Sequence, residues 1–140
     1  MVEQENRVYP RGRFKWAVSA KVDDRVIEGV TKDISVSGAY VCCANPLRLN
    51  VVFDMLIKAP DKSLSVKAEV VWSNIYGPDD SINPRGIGIR FLAISEEDRK
   101  IIAKAVMKHL QSSKEDLDPK HLQSLQTLII KPDQVQTTNQ

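Results

Sequence analysis

Two short segments carry residue types suited to recognising an anionic ligand or a nucleobase. Arg7-Val-Tyr-Pro-Arg11 sets two guanidinium groups four residues apart. Pro10 disfavours helix for Tyr9 and the residues before it, and a fully extended chain would hold the arginines roughly 13 Å apart. A bend between them lets both close on one ligand. Each guanidinium offers a rigid fork of donors for phosphate oxygens or the N7/O6 edge of guanine, and a flat face for stacking. In Asp33-Ile-Ser35-Val-Ser-Gly38 the carboxylate can accept two hydrogen bonds, matching the N1–H and N2–H edge of guanine. Ser35 adds a small donor and acceptor, and Gly38 permits a positive φ or close approach of the backbone to a ligand. Taken alone, this second segment reads first as a turn between strands, and the cluster Arg7, Arg11, Arg13 and Lys15 first as a solvated basic stretch.

Catalytic chemistry has little to stand on. His109 and His121 are the only near-neutral bases, and both fall in helical patterns remote from any nucleophile-like motif. There is no Gly-x-Ser-x-Gly elbow and no phosphate loop of the Walker type. Gly86-Ile-Gly88 lies in a strand-like run, not before a helix, so it marks close backbone approach and not a dinucleotide fold. The two cysteines, Cys42 and Cys43, are adjacent. In a strand they point to opposite faces, which suits neither a disulfide nor, with no histidine nearby, a zinc site. No enzyme activity, metal or cofactor is expected.

The elements that must position these residues are short strands. After an arm over residues 1–14 with Pro10 and Gly12 as breakers, Trp16, Val18 and Ala20 alternate with Ala17, Ser19 and Lys21, and Asp23-Asp24 offers a turn. Strand-like runs follow over 26–31, 39–43, 51–58, 63–72 and 86–91, with 51–58 and 63–72 joined by Ala59-Pro-Asp-Lys62 as a hairpin connection. Six strands with no helix between them predict an antiparallel barrel or sandwich. Ser95 and Asp98 form a capping box before a helix whose apolar stripe is Ile101, Ile102, Ala105, Val106, His109 and Leu110. A weaker helical pattern covers residues 119–130, and the polar tail from Lys131 is expected to be disordered.

Composition sets broad limits. A chain of 140 residues, 42% hydrophobic and 27% charged, fits one soluble domain with a tail. The net charge of +2 argues for neither a nucleic-acid nor a membrane partner. No stretch reaches the roughly 20 apolar residues of a membrane span. The polar start Met-Val-Glu-Gln-Glu-Asn lacks the features of a secretory signal, so a cytoplasmic location is expected.

An Arg-x-x-x-Arg arm, a strand, and Asp-x-Ser-x-x-Gly some twenty residues later together resemble the signature of PilZ domains, receptors for the bacterial second messenger cyclic di-GMP. Ala68-Glu-Val-Val-Trp72 is similar to the family's strand ending in an aromatic, and Gly86-Ile-Gly-Ile-Arg-Phe91 with Ser95-Glu-Glu-Asp98 to its closing strand and C-terminal helix. The likeness covers about residues 5–111. It implies an all-β fold, a six-stranded antiparallel β-barrel with a C-terminal helix, made of an N-terminal ligand-binding arm (1–14), the barrel and helix (15–111) and an extension (112–140). Cyclic di-GMP would bind on the outer surface through Arg7 and Arg11 of the arm and Asp33, Ser35 and Gly38 of the barrel. Arg13, Trp72, Gly88 and Arg90 are candidates for additional neighbours. Members that take a stacked pair of ligands often carry a basic residue before the first arginine; here it is Asn6, which leaves the stoichiometry open.

The function so implied is a receptor whose arm orders over cyclic di-GMP and alters a surface for a downstream protein. A PilZ-fold adaptor without nucleotide would carry a broken motif, whereas all five motif positions are intact. A nucleic-acid-binding barrel would interleave basic and aromatic residues across its strands, whereas Asp and Glu are scattered through these.

Overall fold

The computed structural model describes residues 9–82, 84–112 and 119–130. Six strands, β1 (Ala17–Val22), β2 (Arg25–Ile34), β3 (Gly38–Cys43), β4 (Val52–Lys58), β5 (Ser63–Asn74) and β6 (Gly86–Ile94), precede helices α1 (Glu96–Ser112) and α2 (Pro119–Ile130). The strands close into a barrel in the order β1-β2-β3-β6-β5-β4, with every neighbouring pair antiparallel. Closure pairs each strand on both sides and removes the exposed edge on which open sheets aggregate.

Period-two alternation decides what faces inward. In β4, Phe53, Met55 and Ile57 are buried while Val52, Asp54, Leu56 and Lys58 are exposed. In β5, Leu64, Val66, Ala68 and Val70 line the interior. The turn at Asp23-Asp24 and the connection through Ala59–Lys62 fall where the sequence places them, the first with Asp23 in the left-handed region at φ 58°.

Three register shifts break this alternation; one makes Leu92 extra on β6, since Lys67 pairs with Ala93 but Ala68 with Phe91, and the other two bear on outward residues. On β2, Thr31 pairs with Val41 but Asp33 pairs with Tyr40, so Lys32 is the extra residue. On β5, Val70 pairs with Ile89 but Trp72 pairs with Gly88, so Val71 is extra. A bulge inserts one residue and thereby swaps the face of everything beyond it. Asp33 and Trp72, which simple alternation from Thr31 and Val70 would bury, are both turned outward. The segment expected as one turn from Asp33 to Gly38 is accordingly shorter. Asp33 and Ile34 end β2, Gly38 opens β3, and only residues 35–37 form the turn.

Helix α1 buries Ile102, Ala103 and Val106 completely. Its cap differs from a reciprocal box. The Asp98 N–H donates to Ser95 Oγ at 3.0 Å, but the Asp98 carboxylate turns to the barrel, accepting from Lys62 Nζ at 2.9 Å and Ser65 N–H at 3.2 Å. The carboxylate ties the helix start to the β4–β5 hairpin. Helix α2 buries Leu125 and Leu128 in the same core cluster.

Candidate functional site

Asp33, Tyr40, Gly88 and Trp72 stand opposite one another in cross-strand register and form one outward row across β2, β3, β6 and β5. At a strand spacing near 4.8 Å such a row is roughly 14 Å long. The Tyr40 and Trp72 rings are 5.7 Å apart between centroids at 49°. Gly88 lies between them, where an added Cβ would stand 3.3 Å from Trp72 Cβ and 3.9 Å from Tyr40 Cδ2. The missing side chain leaves a notch walled by two rings, and Trp72 is 49% exposed. Arg11, Tyr40, Val71, Trp72 and Gly88 border a depression of about 310 Å³ here.

Arg11 enters from the arm. Gly12 exchanges two backbone hydrogen bonds with Ile34, at 2.8 and 2.9 Å, which makes the arm a short added strand beside the end of β2. This sets Arg11 alongside Asp33, and Nη1 donates to Asp33 Oδ1 at 3.0 Å. The guanidinium is 38% exposed and the carboxylate 19%. A charged donor fork and a carboxylate acceptor thus share the rim of the aromatic notch. Just downstream, Thr31, fully buried, fastens the chain again. Its hydroxyl donates to Phe14 C=O at 2.7 Å and accepts from Trp16 N–H at 2.9 Å. The Arg13 N–H donates to His109 Nε2 at 3.3 Å, and Phe14 packs edge-on against the His109 ring.

The remaining sequence candidates take different places. Arg7 lies outside the described residues. Ser35 is buried; its Oγ accepts from Ser37 N–H at 3.1 Å and its N–H donates to Gly38 C=O at 2.8 Å, so it shapes the turn after Asp33. At Gly38 a Cβ would fall 2.2 Å from Ile89 O, so glycine is what allows β3 to approach β6. Arg90 pairs in register with Gly38, on the same outer face as Gly88, and its Nε binds Glu69 Oε1 at 2.7 Å. The Arg13 side chain is exposed on the arm.

Tyr40 and Lys32 belong to this face and were not singled out from the sequence. Tyr40 alternates outward between the buried Ala39 and Val41, a pattern visible in the sequence once β3 is placed. Its hydroxyl donates to Pro84 C=O at 2.6 Å, which fixes the ring. Burial, with smaller contributions from Cys42 and Cys43, pushes its phenol up to about 12. Lys32 Nζ lies 5.9 Å over the same ring, placing a second cation beside the row.

The closed six-stranded barrel carries a polar and aromatic row on its outside. The family described as PilZ domain matches residues 5–108, and the chain belongs to that family. Its members are nucleotide-binding receptor modules and not enzymes. Among solved structures, the PilZ domain with cyclic di-GMP of YcgR from Escherichia coli superposes with a TM-score of 0.62 at 14% identity, covering 77% of this chain and 94% of that one. The inhibitor of motility (MotI/DgrA) of Bacillus subtilis superposes with a TM-score of 0.66 at 17% identity, covering 77% of this chain and 52% of that one, so this chain spans about half of it. No curated protein sequence gives a match. Among the described residues no helix is long and apolar enough to cross a membrane.

Proposed function

We propose that the chain is a cyclic di-GMP receptor that binds the dinucleotide across the outer row from Asp33 to Trp72. The observation that carries this reading is the Arg11–Asp33 pair, 3.0 Å apart at the rim of the Tyr40–Trp72 notch. Cyclic di-GMP presents two guanines and two phosphates. The Asp33 carboxylate matches the N1–H and N2–H donors of a guanine, and a guanidinium fork matches phosphate or the N7/O6 edge. Exposed aromatic faces supply stacking, and the missing side chain at Gly88 lets a flat base approach them. Family membership and the intact motif support the same assignment.

In this reading Arg7 joins Arg11 when the arm closes. Ser35 and Gly38 hold the turn that presents Asp33, and Arg90 and Arg13 flank the row. Ligand binding orders the arm and changes the surface offered to a downstream protein. Ordering costs conformational entropy that charge-assisted bonds offset only when ligand is present. The test is a calorimetric titration of the full chain with cyclic di-GMP, GTP and cyclic GMP. Saturable binding of cyclic di-GMP alone is expected, and absence of binding at high protein concentration overturns the assignment.

A further inference from the structure

Helix α2 lies beyond residues 5–108, the part of the chain that the family match covers. It nevertheless meets the arm. Tyr9 is partly buried against the cluster that contains Leu125 and Leu128, and it shares a depression of about 360 Å³ with Gln123, Ser124, Thr127 and Leu128 of α2. Pro10, the next residue, is buried. Tyr9 lies between the two motif arginines, two residues from each.

We infer that α2 is a clamp for the binding arm, with Tyr9 as the positioning residue through which it acts. The inference rests on the function proposed above. The arm already has three fixed points on its C-terminal side, the Gly12–Ile34 bridge, the Arg13–His109 hydrogen bond and the Thr31–Phe14 hydrogen bond. These hold Arg11 but act only downstream of it. Tyr9 adds an anchor on the other side of Arg11, and Pro10 fixes φ between them. With both ends held, the guanidinium of Arg11 loses little further freedom on binding, and Arg7 starts from an anchored neighbour. Prior ordering of a binding segment raises affinity without adding a ligand contact. Because coupling free energy is reciprocal, ligand on the arm must in turn hold α2 more firmly. Tyr9 and Leu128 border the same depression, and the clamp so inferred uses the tyrosine ring and not its hydroxyl.

The experiment uses the full chain and reads two quantities. These are the cyclic di-GMP affinity by calorimetry, and amide exchange over residues 119–130 with and without saturating ligand. Wild type should show slower exchange in α2 when ligand is bound. Tyr9→Ala should bind about fivefold or more weakly, the lower end of ordinary coupling between sites, and its α2 exchange should no longer respond. Tyr9→Phe should restore both, while Leu128→Ala should reproduce the loss of response from the helix side. A purely structural tyrosine would shift the unfolding temperature of Tyr9→Ala and leave its affinity intact. That result, or ligand binding with unchanged α2 exchange in wild type, overturns the clamp and leaves the receptor assignment standing. No binding of cyclic di-GMP by wild type overturns both.

Discussion

Asp33 and Trp72 occupy opposite ends of one outward row, and each is turned out of the barrel by its own bulge. The inserted residues, Lys32 and Val71, cost the barrel two regular pairings. Bulges next to binding sites commonly re-aim a side chain in this way. Here they deliver a carboxylate and an indole to the same face, with Tyr40 and Gly88 between.

The pair at the Asp33 end carries a first prediction. Arg11 and Asp33 are both partly exposed, and an ion pair in that setting contributes about 0–1 kcal/mol to folding. Arg11→Ala and Asp33→Ala should therefore melt close to wild type. In the proposed complex each removes a charge-assisted ligand contact worth about 1.5–3 kcal/mol, so cyclic di-GMP affinity should fall roughly tenfold to a hundredfold in calorimetry. Arg11→Lys should also weaken binding, since an ammonium cannot reproduce the fork. Wild-type affinity in Arg11→Ala would remove the arm from the site.

How far the site was legible follows from which residues obey local rules. Alternation and turn residues locate all six strands and the interior of β4 and β5, because one face of each must be apolar. The motif spacing nominates Arg11 and Asp33, which the structure brings into contact. Alternation cannot reveal a bulge, since the inserted Lys32 and Val71 are ordinary residues whose cost is compensated by distant pairing. The outward aim of Trp72 and its alignment with Tyr40 are therefore tertiary facts. The same holds for Asp98, whose spacing from Ser95 suggests a cap but whose carboxylate serves the β4–β5 hairpin.

Two glycines of the outer face, Gly38 and Gly88, should behave oppositely. At Gly38 a Cβ would collide with backbone, 2.2 Å from Ile89 O and 3.1 Å from Arg90 Cα, and backbone inside a closed ladder cannot yield cheaply. Gly38→Ala should lose about 1–3 kcal/mol by overpacking, read as a lower urea midpoint. At Gly88 the nearest atom is Trp72 Cβ at 3.3 Å, so a methyl fits with a small shift. Gly88→Ala should keep near-wild-type stability while filling the notch and weakening cyclic di-GMP. Equal affinity for Gly88→Ala would mean that no base packs over Gly88.

Alkaline pH should destabilise the barrel. Burial pushes the Cys43 thiol up to about 11 from an ordinary 9.0, so the folded chain keeps this proton longer than the unfolded one. The associated stability is complete below about pH 9 and is lost as pH climbs towards 11. Tyr40, pushed up to about 12, extends the decline higher. Urea midpoints should fall between pH 9 and 11, and Cys43→Ala should flatten that slope whatever its effect on the midpoint itself. An unchanged slope would show that Cys43 does not set it.

Thermal unfolding with and without cyclic di-GMP separates site, scaffold and the joint between them. A ligand that binds only the folded state adds about 2.7 kcal/mol at a hundredfold excess over its dissociation constant, so wild type should melt higher with ligand. Asp33→Ala should melt near the ligand-free wild type and show little shift. Ile102→Asp buries an unpaired carboxylate at a position with no exposure, so its unfolding temperature should drop steeply. Where it remains folded it should still respond to ligand, because Ile102 belongs neither to the row nor to the fastenings that hold Arg11. Thr31→Val falls between them. It leaves the Phe14 carbonyl and the Trp16 N–H without their buried partner, at about 1–3 kcal/mol for such a group. It also frees the base of the arm that carries Arg11. It should therefore melt lower and bind more weakly, the one variant of the three to lose both. If Thr31→Val loses stability but keeps full affinity, the position of Arg11 is set without Thr31, by the Gly12–Ile34 bridge and the other anchors of the arm, and the Thr31 fastening serves only the fold.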